Sequence, residues 1–186
     1  MRSLRKAFQT IKREIFLLPA YAEDAALDMP LPIGFGQTNN QPTTVKAMLE
    51  WLEVGPGDKA LDVGAGSGWT SALLAYMVEP ENVYAVETIP ELVDSTRKNC
   101  SAVGAQNVKV FRANDTATGL PSHAPYDRIL VSTNVESIPE ELIDQLKVGG
   151  KMVIPVHDTV LEIIKTTQKR LDIIPHRGFA FVPLGG

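Results

Sequence analysis

The stretch Leu61-Asp62-Val63-Gly64-Ala65-Gly66-Ser67-Gly68-Trp69-Thr70 carries the residue types best suited to holding a ligand. Residues 60–63 are apolar apart from Asp62, glycine recurs at every second position from Gly64 to Gly68, and residues 70–78 (TSALLAYMV) have the composition of a buried helix. A glycine-rich turn lets the main chain approach a ligand with no Cβ in the way. The helix behind it presents unpaired N–H groups and a partial positive charge. Nucleotide-type cofactors are held in this manner, whereas a bare strand-to-helix turn does not need three glycines. The dinucleotide fingerprint G-x-G-x-x-G would require glycine at position 69, and the chain has Trp69 there.

Two acids extend the constellation. Residues 82–86 read as a short apolar strand ending in Glu87, which lies nineteen positions beyond Gly68. Nucleoside sites keep a ribose-binding carboxylate at an offset of about 20 residues, and a carboxylate can accept from two adjacent hydroxyls at once. Asp115, followed by Thr116, closes a further strand over residues 108–112. It has two open readings, an acceptor for an adenine amino group or a turn-forming acid. Cys100 reads as a small buried residue. His123, His157 and His176 show no metal-ligand spacing and read as surface or turn residues.

These candidates need a scaffold that gathers strand ends. Strands over 60–63, 82–86, 108–112, 126–133 and 151–156 alternate with helices over 70–78, 90–103 and 139–146, with Gly149-Gly150 as the turn before the last strand. That order predicts an α/β fold with a doubly wound parallel sheet, whose ligands sit beyond the carboxyl ends of the strands. Gly64, Glu87 and Asp115 all fall at such ends. Residues 159–167 and 171–175 suit a closing hairpin. Before the glycine turn, Thr43 or Thr44 is suited to cap a helix that runs to about residue 52. Residues 19–42, punctuated by Pro30, Pro32, Gly34, Gly36 and Pro42 around Gln37-Thr38-Asn39-Asn40-Gln41, form a long shaped loop. Such loops within a domain serve as lids or binding loops more often than as plain connections. Residues 1–19 place Leu4, Phe8, Ile11 and Ile15 at helical spacing with a basic face. That segment reads as an amphipathic helix packed on the domain, with a targeting or RNA-contacting role as alternatives.

At 186 residues, 44% hydrophobic and 22% charged, the chain has the size and balance of one domain. The net charge of −4 gives no support for general nucleic-acid binding. One cysteine excludes a disulfide within the chain, and no apolar run approaches the roughly 18 residues of a membrane span. The expectation is a monomer in the cytoplasm. The organisation expected is a single unit over 1–186: helix 1–19, substrate loop 20–42, cofactor-binding core 43–156, and hairpin and tail 157–186.

Asp62-x-Gly64-x-Gly66-x-Gly68 resembles motif I of the class I S-adenosylmethionine-dependent methyltransferases, and other segments narrow the match. Leu31-Pro32-Ile33-Gly34-x-Gly36-Gln37-Thr38 with Gln41-Pro42 resembles the substrate loop of the protein-L-isoaspartate O-methyltransferases. Ala124-Pro125-Tyr126-Asp127, Gly149-Gly150-x-x-x-Ile154-Pro155-Val156 and Phe181-Val182-Pro183-Leu184 are similar to further signatures of that family. The resemblance implies a mostly parallel seven-stranded sheet with helices on both faces. It implies binding of S-adenosyl-L-methionine by Asp62, Gly64, Ala65, Gly66, Ser67 and Gly68, with Glu87, Thr88, Asp115 and Thr116 completing the site. The implied activity is methyl transfer to the α-carboxylate of L-isoaspartyl residues in damaged peptides and proteins, a repair reaction. An ionised carboxylate is already a nucleophile, so the residues implied in catalysis, Thr38, Asn39 and Asn40, are donors that hold it. The family ordinarily has serine where this chain has Asn40, and glycine where it has His157. Two other readings stay open: a methyltransferase of the same fold with another acceptor, and a catalytically weak cofactor-binding relative.

Overall fold

The computed structural model describes residues 3–113 and 118–179. Its frame is a seven-stranded sheet built from β3 (Ala60–Val63), β4 (Val83–Glu87), β5 (Val108–Arg112), β6 (Tyr126–Val131), β7 (Leu146–Val156), β8 (Thr159–Thr167) and β9 (Arg170–Arg177). The spatial order is β5-β4-β3-β6-β7-β8-β9. The β5-to-β7 part is parallel, and β8 and β9 are added antiparallel. The chain moves outward from β3 through β4 to β5, then returns to the other side of β3 with β6. The carboxyl ends of β3 and β6 therefore flank the switch in winding, where open α/β sheets place their ligands.

Burial on both faces explains the near-continuous apolar strands. On β6, Leu130 packs into one cluster while Ile129 and Val131 enter the other, and on β7 Val153 opposes Met152 and Ile154 in the same way. The first cluster is covered by α1 (Leu4–Thr10), α2 (Pro42–Leu52) and α3 (Trp69–Val78), with Cys100 joining it from α4 (Pro90–Ala102). The second is covered by α5 (Glu140–Gln145) through Leu142, with Leu146 beside it. Every residue of α3 except Tyr76 is buried, because the helix lies between the sheet, α1 and α4.

Several expected boundaries move. The N-terminal helix ends at Thr10, with Ile11 extended as its C-cap. The chain then turns through short 3-10 segments, Arg13–Phe16 and Pro19–Asp24, which buries Arg13 and Phe16 and leaves Ile15 40% exposed. The helical spacing at position 15 thus marked no continued helix. Within the long loop, β1 (Leu31–Gly34) and β2 (Gln37–Asn39) form a separate antiparallel hairpin. Its tip, Gly34-Phe35-Gly36, has three successive positive φ angles of 94°, 56° and 71°.

Neither Thr43 nor Thr44 caps α2. Gln41 is the N-cap with no side-chain capping bond, and Asp28 acts from the loop instead, its carboxylate accepting from the Thr43 N–H (2.8 Å) and hydroxyl (2.6 Å) and from Gln41 Nε2 (3.0 Å). Gly149-Gly150 is not a turn before β7. It lies inside the strand, where the register against β6 shifts, and a Cβ on Gly150 would meet the Lys147 carbonyl at 2.8 Å.

His176 is not an ordinary surface residue. Its ring stacks on Trp51 at 3.7 Å, and its Nε2 lies 3.2 Å from Glu162, which also pairs with the buried Lys151 at 2.7 Å. Lys151 reaches Glu53 at 2.9 Å as well. Among the described residues no helix is long and apolar enough to cross a membrane.

Candidate active site

The glycine turn leaves β3 with Gly64, Gly66 and Gly68 at φ +80°, +58° and +95°, a region that other residues enter only with strain. The glycines differ in what surrounds them. A Cβ on Gly68 would meet Thr96 Cγ2 at 2.9 Å and Cys100 Sγ at 3.1 Å, so this glycine admits α4 rather than a ligand. A Cβ on Gly66 would meet only Ile33 Cδ1, at 3.0 Å, across from the hairpin. Helix α4 also pins the turn: Thr96 Oγ1 donates to the Gly66 carbonyl (2.8 Å) and Asn99 Nδ2 to that of Ser67 (3.0 Å). Burial pushes the Cys100 thiol up to about 12, so it is inert at neutral pH.

Asp62 stands differently from the expectation of a ligand contact. It is fully buried, and its carboxylate accepts from Thr70 Oγ1 (2.7 Å), Ser71 Oγ (2.6 Å) and Ser132 Oγ (2.8 Å). Burial raises its pKa, and the three hydroxyls pull the other way. Asp62 thus ties the start of α3 to the end of β6 and shapes the turn from beneath.

Glu87 is also buried. Its Oε1 accepts from the N–H groups of Thr88 (2.7 Å) and Ile89 (3.0 Å) and from the Thr88 hydroxyl (3.2 Å), while its Oε2 accepts from the Gly66 N–H (2.8 Å). Oε2 keeps acceptor capacity beyond that one N–H. Asp115 and Thr116 lie outside the described residues, as does the segment 181–184.

Facing the turn is the hairpin. A narrow cleft of about 30 Å³ is lined by Ile33, Thr38, Asn39 and Asn40 from the loop and by Gly64, Ala65, Gly66, Ser67, Trp69 and Thr70 from the turn and α3, with Ser132 closing it. The expected donors and much of the expected cofactor loop therefore share one opening, while Asp62, Gly68, Glu87 and Thr88 stand outside its lining. Asn40 Nδ2 donates to the Ser132 carbonyl (3.0 Å), bridging the loop to the end of β6. Asn39 is buried, and its Oδ1 accepts from Arg13 Nε (2.8 Å), so its side chain helps to hold the loop.

S-adenosylmethionine fits this donor set. Ser67 Oγ and Trp69 Nε1 are buried polar atoms with no protein partner, on residues that line the cleft. A buried polar group left so is costly unless a ligand or water satisfies it.

Ser132 was not expected at the site, nor were Arg13 and Asp28 expected to hold its loop. Arg13 sat in a run of basic residues read as an exposed helix face, and Ser132 is 92 positions from the Asn40 side chain that bonds it.

A family model described as Protein-L-isoaspartate(D-aspartate) O-methyltransferase (PCMT) matches residues 1–186. A protein-L-isoaspartate O-methyltransferase of Thermococcus onnurineus is 45% identical over 189 residues, which cover 98% of this chain and 85% of the relative. One from Pyrococcus horikoshii is 42% identical over 188 residues, covering 98% and 84%. A solved protein-L-isoaspartate O-methyltransferase superposes with a TM-score of 0.87 at 26% identity, over 98% of this chain and 61% of that one. A Plasmodium falciparum beta-aspartate methyltransferase, solved in complex with S-adenosyl-L-homocysteine, shares the fold with a TM-score of 0.83 at 23% identity, over 98% and 89%. With the family model spanning the whole chain and relatives above 40% identity, this chain belongs to the protein-L-isoaspartate O-methyltransferase family.

Proposed function

We propose that the chain transfers the methyl group of S-adenosylmethionine to the free α-carboxylate of L-isoaspartyl residues, in the cleft between the glycine turn and the Thr38–Asn40 segment. The observation that carries this reading is the meeting of those two segments in one opening. Bound S-adenosylmethionine supplies an electrophilic methyl on a positively charged sulfur. Main chain at Gly64 to Ser67, with the Ser67 hydroxyl and the Trp69 indole N–H, would hold its amino-acid end. Glu87 Oε2 would take a ribose hydroxyl while keeping the Gly66 N–H in place.

The acceptor needs no general base, since a carboxylate is ionised near neutral pH. The protein's work is then orientation, which supplies most of the acceleration for two aligned reactants. Thr38 can donate its hydroxyl to the carboxylate. Asn40 has two N–H donors and uses one on Ser132, so the second is free for the acceptor. The loop closes over the turn through Ile33 and limits water at the reacting atoms. Leu27, Met29 and Phe35 are exposed on the same loop, apolar surface that suits a peptide chain better than a small metabolite. The reading includes a monomeric, cytoplasmic enzyme without nucleic-acid or membrane partners, and the net charge of −4 gives no support for general nucleic-acid binding.

The test pairs an isoaspartyl peptide with its aspartyl twin. Base-labile methyl ester should form on the first and not on the second. Ester on neither, with cofactor bound, rejects the acceptor.

A further inference from the structure

Arg13, at the start of the short 3-10 segment Arg13–Phe16, is 5% exposed, yet no carboxylate is paired to it at contact distance among the described residues. Its guanidinium is spent on the main chain instead. Nη1 donates to the carbonyls of Ala25 (3.4 Å) and Leu27 (2.9 Å), and Nη2 to those of Met29 (2.8 Å), Asn39 (3.3 Å) and Asn40 (3.0 Å). Nε completes the set on Asn39 Oδ1 at 2.8 Å. The carbon of the fork stands 5.3 Å above the Trp69 ring, at the first residue of α3. One side chain thus gathers both limbs of the acceptor loop, the segment before β1 and the end of β2, beside the helix that follows the glycine turn.

We propose that Arg13 is the positioning residue of the acceptor site: it acts through Asn39 and Asn40, setting the distance between the acceptor-holding segment and the cofactor turn. The inference rests on the acceptor assignment above and deepens it. Only a planar, charged fork can serve five main-chain carbonyls and one side-chain amide oxygen from one point. Lysine keeps the charge but has a single nitrogen, so it cannot span acceptors on both limbs. Asp28 tightens the same loop from outside by bonding the first turn of α2, which leaves Arg13 to set the interior face.

Four forms of the full chain test this: wild type, Arg13→Lys, Arg13→Ala, and Ile11→Ala as a control that weakens the adjacent core without touching the loop. Steady-state kinetics on an isoaspartyl peptide, calorimetric affinity for S-adenosylhomocysteine, and hydrogen exchange over residues 25–40 are read for each. Arg13→Lys and Arg13→Ala should lose roughly 10- to 100-fold in kcat/KM for the peptide, the range for losing bonds to a charged group. Most of that loss should fall in the peptide KM, with S-adenosylhomocysteine affinity within about threefold. Exchange in the loop should quicken in both variants. Millimolar ethylguanidinium should restore part of the Arg13→Ala activity where ethylammonium does not. Ile11→Ala should lower the melting temperature and leave the peptide KM alone.

Arg13→Lys with wild-type peptide KM and wild-type loop exchange overturns the inference, as does equal loss of cofactor and peptide binding in step with the melting temperature. Loop exchange is read whether or not the enzyme turns over. A wild type inert on the peptide therefore rejects the acceptor assignment and Arg13's catalytic consequence, and unaltered exchange in the variants rejects the lock itself.

Discussion

Glu87 shows how one side chain can serve two ends. Its carboxylate orders the start of the β4–α4 connection through Thr88 and Ile89 and pins the glycine turn through Gly66. Removing it should therefore cost both folding and ligand. Glu87→Ala should weaken S-adenosylmethionine binding by about 1.5–3 kcal/mol, and it should also lower stability by about 1–3 kcal/mol, because buried N–H donors lose their acceptor. Calorimetric titration and a denaturant midpoint check the two effects separately, and unchanged affinity would remove the ribose assignment.

At Asn40 the amide already spans to Ser132. Asn40→Ser shortens the side chain, gives up that bridge and restores the hydroxyl usual in the family. It should raise kcat/KM on isoaspartyl peptides while cofactor affinity holds. Asn40→Ala should lower kcat/KM by about 1–3 kcal/mol in activation free energy. A series in which wild type and both variants sit at background would mean the loop has been refitted to another acceptor.

Among the elements, the turn between β3 and α3 divides its glycines by task, and substitutions should divide in the same way. Gly66→Val meets a flexible Ile33 terminus at a positive φ. The strain costs of order 1–3 kcal/mol, and the branched side chain fills the cleft. A folded protein with abolished cofactor binding is expected. Gly68→Ala pushes instead into Thr96 and Cys100 on α4, with contacts under 3.2 Å and φ at +95°. It should cost more stability than Gly66→Ala and disturb the packing of α3 on α4. Thermal melts of the two alanine variants compare the costs directly, and equal melting temperatures would contradict the division. Helix α3 tolerates no repositioning to relieve either substitution, because nearly all of it is enclosed.

For the molecule as a whole, the β7–β8–β9 part of the sheet, beside the end of α2, holds a polar cluster that does not line the ligand cleft. Lys151 on β7 lies between Glu162 on β8 and Glu53 at the end of α2, with His176 on β9 behind Glu162. Burial pulls the Lys151 pKa down, but its two carboxylate partners more than offset this and hold it above 10.5. Burial likewise pushes Glu162 up, and the bonds from Lys151 and His176 hold it below 4.5.

The signs follow by linkage. The stability from Glu162 is complete above 4.5 and is lost as pH falls through its depressed folded value. That from Lys151 is complete below 10.5 and is lost as pH rises through its elevated one. Those two groups should therefore contribute evenly between those limits, and Glu162→Gln should flatten the acid limb of the stability–pH curve measured by denaturant titration. Lys151→Met alone strands a buried carboxylate and should cost about 3–5 kcal/mol, whereas Lys151→Met with Glu162→Leu should cost far less.

The sequence by itself determined the α/β class, the position of the glycine turn, the strands that end in Gly64 and Glu87, and the loop that carries Thr38 to Asn40. Each of those rests on a local signal: alternation of glycine, apolar runs of strand length, and proline and glycine punctuation. Only the tertiary structure decided which of those residues face the cleft. Asp62 reads as part of a ligand motif, yet Ser132, 70 positions away, and two hydroxyls of α3 enclose its carboxylate. Arg13 reads as one more charge on a basic helix face. It became a buried organiser because its acceptors lie 12 to 27 residues downstream on two limbs of a loop whose path no local preference sets. Strand order made the cleft, since β6 returns beside β3 and brings Ser132 under Asn40. Local patterns in a chain encode its elements through backbone preference and burial period. Partners for polar side chains depend on where those elements meet, and here the register of β3 on β6 and the closure of the hairpin over the turn settled them.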